Sequence, residues 1–324
     1  MAQFTKEQFQ KDISLHRSAI MGISIIAIIL FHQDFATSFS LNIFQYYGFW
    51  GVDIFLLLSG MGLVNSLQKY PIRIFYQRRL LRLFPSCLLC GIFKCLFFLV
   101  IETFYIFPND TKFINWLSPF SLDLWFIRTI LVYYLLSPCL YKYLQGKAGI
   151  TMALVIILFL INDLFFRIHD CNSPTWIPER LLVFTIGMYL SVKQDIVSPK
   201  SILISLGFLI LSITIVASYK GDIYGNTIPW SIMIFALAFG TMSIIYIITM
   251  ILKHIPSVIL VPFKWIGAMS LELYLIHQFV FGMVKIATIN FLSNIGQLIV
   301  CITFSLLLAF LCKLAIGKIT KRDI

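Results

Sequence analysis

Long apolar runs recur along almost the whole chain, and they restrict its fold more than any other feature. About 20 apolar residues suffice for a helix to cross a bilayer, and in lipid only helices or closed barrels satisfy the backbone. Hydrophobic residues fill 60% of the 324 positions and charged residues only 12%, against about 25% charged residues in soluble domains. The sequence predicts an all-α polytopic membrane protein with about ten transmembrane helices, forming one domain over residues 1–324. The predicted spans are 18–33, 44–66, 80–103, 119–141, 148–166, 180–193, 201–218, 229–252, 264–284 and 291–312.

Lysine and arginine lie mostly between these runs, and their distribution predicts the orientation. With the N-terminus inside, 18 of them fall in cytoplasmic segments and five, including Arg180, in outer segments. Because inner loops are enriched in Lys and Arg, we expect both termini in the cytoplasm. The net charge of +11 then reflects topology and not nucleic-acid binding. The first run is not followed by a small-residue cleavage site, so we expect it to remain as a spanning helix.

Two histidines fall inside apolar runs, where an imidazole is costly without a partner or a water-filled cavity. His32 ends the first run, and His277 lies in the ninth. Ser270, Tyr274 and His277 recur at steps of three and four residues, which predicts one polar stripe together with Gly267. Such a stripe either holds helices together or forms part of a functional site.

Two carboxylates and an arginine are further ionisable residues within apolar runs, in the second and fourth of them. Asp53 lies in an apolar run, where a carboxylate is rare without a partner. Asp123 and Trp125 lie near the outer end of the fourth run, and Trp125 suits either an interface anchor or a site. Arg128 lies deeper and is expected to pair with a carboxylate. At ~1.5 Å per residue, the two carboxylates fall near the depth of the two histidines, in the outer half of the membrane.

Arg78, Arg79 and Arg82 share one helical face at the N-terminal end of the third run. If the third helix begins here, these cations oppose its dipole, and an anion held by them and by the N–H groups of the first turn would relieve that conflict. The alternative is that they only obey the positive-inside rule and contact lipid headgroups.

Five segments together resemble acyltransferase family 3, the integral-membrane acyltransferases that modify bacterial surface glycans and related acceptors. They are ILFH ending at His32, FWGVDIFLLLSG at 49–60, FYQRRLLRLFP at 75–85, LWF at 124–126 and SLELYLIHQ at 270–278. The resemblance covers nearly the whole chain. Many members carry an arginine eleven residues before the first-helix histidine, where this chain has Met21. Arg17, one turn earlier, is a substitute at the cytoplasmic edge.

The resemblance implies an enzyme of the inner, cytoplasmic membrane that transfers acyl groups other than amino-acyl groups. A cytoplasmic acyl-CoA, with acetyl-CoA as the default, would donate to a hydroxyl of a cell-envelope or extracellular carbohydrate or glycolipid; no metal is expected. His32 would be the general base, or in a minor variant a covalent acyl carrier. Arg78, Arg79 and Arg82 would bind the CoA phosphates. Asp53 or His277 would orient His32 or relay its proton, and Tyr274 or Ser270 would stabilise the oxyanion. The substrate would be bound by Asp123, Trp125, Arg128 and Ser270.

Two other functions remain open. One is a transporter or exporter of a glycan or an acylated precursor along the same polar pathway, although transporters often show repeated halves with matched helix breaks. The other is a non-catalytic partner in an envelope-assembly complex. A homodimer is compatible with all three.

Overall fold

The computed structural model describes residues 6–32, 47–104, 125–168, 176–193, 197–219, 227–288 and 293–320. Over these residues the regular structure is helical, in ten helices and without strands. In chain order they are α1 (Lys6–Phe31), α2 (Trp50–Lys69), α3 (Ile72–Phe104), α4 (Trp125–Ile168), α5 (Trp176–Val192), α6 (Pro199–Ser218), α7 (Thr227–His254), α8 (Ser257–Ala268), α9 (Ser270–Thr288) and α10 (Asn294–Thr320).

Several of these helices are long and apolar enough to cross a membrane. Among the described residues six qualify by themselves, namely α1, α2, α4, α6, α7 and α10, and α8 with α9 qualifies as a bent pair. The qualifying part of α4 has 41 residues, about 60 Å of helix, which is twice the hydrocarbon thickness. Lys147 interrupts it with non-helical φ and ψ of −135° and 49°, between the predicted fourth and fifth spans. The multi-pass, all-helical fold is confirmed, while ten spans and cytoplasmic termini stay predictions.

The ninth predicted span, 264–284, is not one straight helix. The chain bends by 72° between α8 and α9, at Met269. The predicted stripe is therefore divided, because Gly267 lies on α8 while Tyr274 and His277 lie on α9. The depth of His277 cannot be counted along a straight helix from Lys264. The bend allows α8 to pack on α1 while α9 packs against α3 and α10.

The third helix also begins earlier than predicted. Its first residue is Ile72, and the N–H of Phe75 donates to the carbonyl of Pro71 at 2.9 Å. Arg79 therefore lies two turns inside α3, and the first-turn N–H groups are not beside the arginine cluster. Any anion bound there must be held by side chains.

Glycines allow the central helices to meet backbone to backbone. A Cβ on Gly22 of α1 would overlap the carbonyl oxygen of Phe263 on α8, and one on Gly267 would overlap that of Ser18. Gly60 of α2 and Gly187 of α5 make a second close crossing. The spanning window of α2 is 67% buried and that of α6 only 17%, so α2 is central and α6 peripheral.

Candidate active site

The two histidines predicted from separate helices lie side by side. His32 directly follows the last residue of α1, and its N–H donates to the carbonyl of Ile28 at 3.2 Å. The Nδ1 of His32 lies 3.3 Å from the Nε2 of His277, and the ring centroids are 5.1 Å apart. His277 is buried and His32 half-buried, so one ring is enclosed and the other remains accessible.

Backbone carbonyls define the tautomers of this pair. The Nδ1 of His277 lies 3.0 Å from the carbonyl oxygen of Leu273 and 2.9 Å from that of Tyr274. The Nδ1 of His32 lies 2.9 Å from the carbonyl oxygen of Ile28. Since a carbonyl oxygen only accepts, neutral rings carry their protons on both Nδ1 atoms. The His277 Nε2 then accepts from the His32 Nδ1–H, and the Nε2 of His32 holds the lone pair that a general base requires.

A narrow cavity of about 70 Å³ connects the neighbourhood of this pair with the arginines. Its histidine end contains Ile28, whose carbonyl binds His32, together with Ser270 and Tyr274. The ring centroid of Tyr274 is 5.8 Å from that of His277. Such a volume holds only a few water molecules. Its lining residues are Arg17, Met21, Ile28, Val52, Phe55, Leu58, Ser59, Gly62, Leu63, Arg79, Arg82, Leu83, Phe126, Ile130, Tyr134, Ser270, Leu271 and Tyr274.

Two of the three predicted phosphate-binding arginines line this cavity. Arg79 is half-buried, with its guanidinium carbon 5.6 Å from the Phe75 ring centroid. Its Nε is buried without a hydrogen-bond partner in the described structure, and such an atom calls for an explanation. Arg82 is exposed at the cavity's edge. Arg78 is also exposed but lies over the Tyr70 ring at 4.4 Å, and it is not among the lining residues.

Arg17 is a site residue that the sequence only suggested as a substitute at the cytoplasmic edge. It is half-buried, lines the narrow cavity, and donates from Nη2 to the carbonyl of Leu58 at 3.0 Å. A Cβ on Gly62 would lie 3.3 Å from that Nη2, so the missing side chain makes room for the guanidinium. Met21, at the position where the family often has arginine, lines the cavity one turn further along α1.

The comparison with protein families matches residues 19–314 to the acyltransferase domain of acyltransferase family 3. The chain belongs to acyltransferase family 3. The matched range contains the histidine pair and the arginines of α3, while Arg17 lies just before it. No curated protein and no solved structure matches the chain. With its apolar helices, the protein is a multi-pass membrane acyltransferase.

In this acyltransferase the buried carboxylate of α2 has a partner that the sequence did not predict. Asp53 forms an ion pair with Arg180, and each side chain is about 2% exposed or less. The prediction of Arg180 as an outer-loop residue is wrong, because α5 begins at Trp176 and encloses it. The polar residues in WIPERLL are typical of a loop, yet this segment is helical and its Arg180 pairs with Asp53 inside the bundle. Asp53 therefore has a structural role, while its predicted catalytic role stays a prediction.

The remaining predicted site residues of the acyltransferase are at or before the start of α4. Asp123 lies outside the described residues. Trp125 is the first residue of α4 and is half-buried, but the neighbouring Phe126 lines the cavity, 5.0 Å from the Tyr274 ring. Arg128 is half-buried on the same helix, and its pairing with a carboxylate stays a prediction.

Proposed function

We propose that this protein is an acyl-CoA-dependent O-acyltransferase of the cytoplasmic membrane. It moves an acyl group, by default acetyl, to a hydroxyl of a cell-envelope or extracellular carbohydrate. The observation that supports this most strongly is the narrow cavity, which starts at three arginines and ends at Ile28 and Tyr274. The backbone carbonyls of these two residues contact His32 and His277. The cavity gives an anionic donor and a proton acceptor one shared path through the bundle.

The arginine end fits the phosphoryl groups of the donor. Guanidinium and phosphate match in geometry and charge and form charge-assisted hydrogen bonds. Arg17, Arg79 and Arg82 all line this end, and the buried Nε of Arg79 has a donor hydrogen to offer. The slim pantetheine arm follows this passage, whose volume of about 70 Å³ has to increase to admit it. It brings the thioester towards Tyr274 and the histidines.

The histidine end supplies the proton transfer. The Nε2 of His32 takes the proton of the acceptor hydroxyl as its oxygen attacks the thioester carbonyl. The hydroxyl of Tyr274 or Ser270 donates to the oxyanion that forms. When the C–S bond breaks, the imidazolium of His32 returns the proton to the leaving sulfur, giving an ester and free CoA. His277 stabilises that imidazolium, because its Nε2 accepts from the His32 Nδ1–H.

The decisive experiment compares envelope glycans by mass spectrometry in cells with wild-type protein, His32→Ala or no protein. We expect the wild type to add one acyl mass, which names the acyl group, and His32→Ala to add none at equal protein level. His254→Ala is the matched control, since His254 is an exposed histidine on α7 whose Nδ1 contacts the Met250 carbonyl of its own helix at 2.8 Å. Normal acylation by His32→Ala would refute the proposal.

Transport is the second candidate, and the bent pair α8–α9 is the observation that favours it. Discontinuous helices often form the substrate sites of transporters. Among the described residues this is the single bent pair that qualifies as a span, so the matched break expected of repeated halves is not observed there. Glycan flux into vesicles without any acyl-CoA would favour transport over acyl transfer.

A further inference from the structure

A second cavity adjoins the narrow one on the other side of Arg17. It has a volume of about 400 Å³ and lies between α1, α2 and α5. The two cavities share Arg17 and Gly62, so Arg17 stands at their junction. The described lining consists of Gln10, Lys11, Ile13, Ser14, Arg17, Met61, Gly62, Asn65 and Ser191.

The chemistry of this polar cavity suits an anion that also carries many hydrogen-bonding groups. Lys11 and Arg17 supply positive charge, and no carboxylate is among the described lining residues. Ser14, Asn65 and Ser191 offer uncharged donors and acceptors. The narrow cavity is instead lined largely by apolar side chains beyond its arginines. The two spaces therefore select different parts of a ligand.

We propose that the polar cavity binds the nucleotide end of the donor, the adenosine 3′-phosphate 5′-diphosphate portion of a coenzyme A thioester. Lys11 contacts the 3′-phosphate, and Arg17 contacts the diphosphate where the pantetheine arm enters the narrow cavity. This inference rests on the proposed function. It adds a site for the adenosine part of the donor, to which the proposed function assigns no residues.

The geometry supports this division in two ways. Lys11 and Arg17 are six residues apart on α1, about 9 Å along the helix axis, so they reach different phosphates of one nucleotide. The cavity volumes, about 400 and 70 Å³, follow the shape of coenzyme A, which has a bulky polar head and a thin arm. Lys11 also lies outside the residues 19–314 that match the family, so the family match does not cover this contact.

The test is a binding titration of purified protein in detergent with CoA and with 3′-dephospho-CoA. A single charge-assisted contact is worth roughly a tenfold difference in Kd, so we expect wild type to prefer CoA by about that factor. Lys11→Gln is expected to bind both ligands equally. Lys69→Gln is the matched control and should keep the preference, since Lys69 is exposed and lines neither cavity.

Photolabelling with 8-azido-CoA gives a second, local measurement. We expect the label on peptides containing residues 10–17, 61–65 or Ser191, and labelling confined to helices other than α1, α2 and α5 would overturn the proposal. A phospholipid headgroup carries the same phosphate chemistry, so the titration is repeated with phosphatidylglycerol in the micelles. CoA binding unchanged by this lipid supports the nucleotide, whereas competition that disappears in Lys11→Gln assigns the cavity to the lipid.

The two proposals fail in different ways. If wild type binds CoA but Lys11→Gln keeps the preference over 3′-dephospho-CoA, the nucleotide assignment is refuted and acyl transfer from CoA stands. If wild type binds no CoA and transfers no acyl group, the proposed function itself is refuted.

Discussion

At the scale of single residues, His32 and His277 each supply one hydrogen-bond partner to the other. An imidazole in lipid requires partners for both ring nitrogens. The Nδ1 of His277 finds them in its own helix, and its Nε2 finds the Nδ1 of His32. The consequence is chemical as well as structural, because the pairing leaves the lone pair of His32 on Nε2.

Removing the acceptor on His277 tests whether it positions the base. His277→Phe keeps the ring volume but leaves the Nδ1–H of His32 with only the Ile28 carbonyl. We expect kcat for acyl transfer to fall by about tenfold or more while KM for the donor changes little. His277→Gln, which retains an acceptor oxygen, should recover part of kcat. Equal kcat in wild type and His277→Phe would show that His277 only fills space.

The ion pair between Asp53 and Arg180 predicts a stability effect. Breaking a buried pair leaves one charge uncompensated and costs about 3–5 kcal/mol. Asp53→Leu should therefore lower the unfolding temperature in detergent strongly, and adding Arg180→Met should restore most of it. Acyl transfer by the restored double variant would show that Asp53 has a structural role only. A stable but inactive double variant would support its predicted catalytic role.

At the scale of helices, the contact of α1 with α8 determines where the site can form. Gly22 and Gly267 face each other's backbones, so the two helices approach more closely than side chains would permit. The bend after α8 then directs α9, with Tyr274 and His277, towards the end of α1 that carries His32.

Gly22→Ala tests this crossing. Its Cβ would overlap the Phe263 carbonyl, and overpacking costs about 1–3 kcal/mol, so we expect a lower unfolding temperature and weaker acyl transfer. Gly91→Ala on α3 is the matched control, because a Cβ there meets nothing within 4 Å. It should be neutral, or stabilising by up to about 1 kcal/mol. Equal stability of the two variants would contradict the close crossing.

At the scale of the whole molecule, the cations and the histidines lie towards opposite ends of the bundle. Arg17 and His32 are fifteen residues apart on α1, about 22 Å along its axis. This separation suits a donor that enters from one face of the membrane and an acceptor that arrives from the other.

The predicted orientation is tested by labelling single cysteines in a cysteine-free background. With Lys147 at the inner face, Gly146→Cys should react with a membrane-impermeant maleimide only after cells are opened. Tyr219→Cys, at the end of α6, should react in intact cells. Both positions are exposed in the structure. Labelling of Gly146→Cys in intact cells would show that the break in α4 does not return the chain to the cytoplasm.

The sequence by itself determined the features that depend on local composition. Apolar length located the helical segments, including the division of α4 near Lys147. The rarity of ionisable groups in lipid selected His32 and His277, and the ordered motifs indicated the family. These features can be predicted from sequence because each depends on one segment of the chain and the solvent around it.

Only the tertiary structure decided which of these groups meet. The pairing of Asp53 with Arg180, the position of Arg17 beside Gly62, and the bend between α8 and α9 all depend on how helices rotate and cross. Helical periodicity gives the face of a residue within its own helix but not the helix that it faces. The neighbouring helix is determined by close packing between distant segments. This packing brings Arg17, Arg79 and Tyr274, from three different helices, to the lining of one cavity.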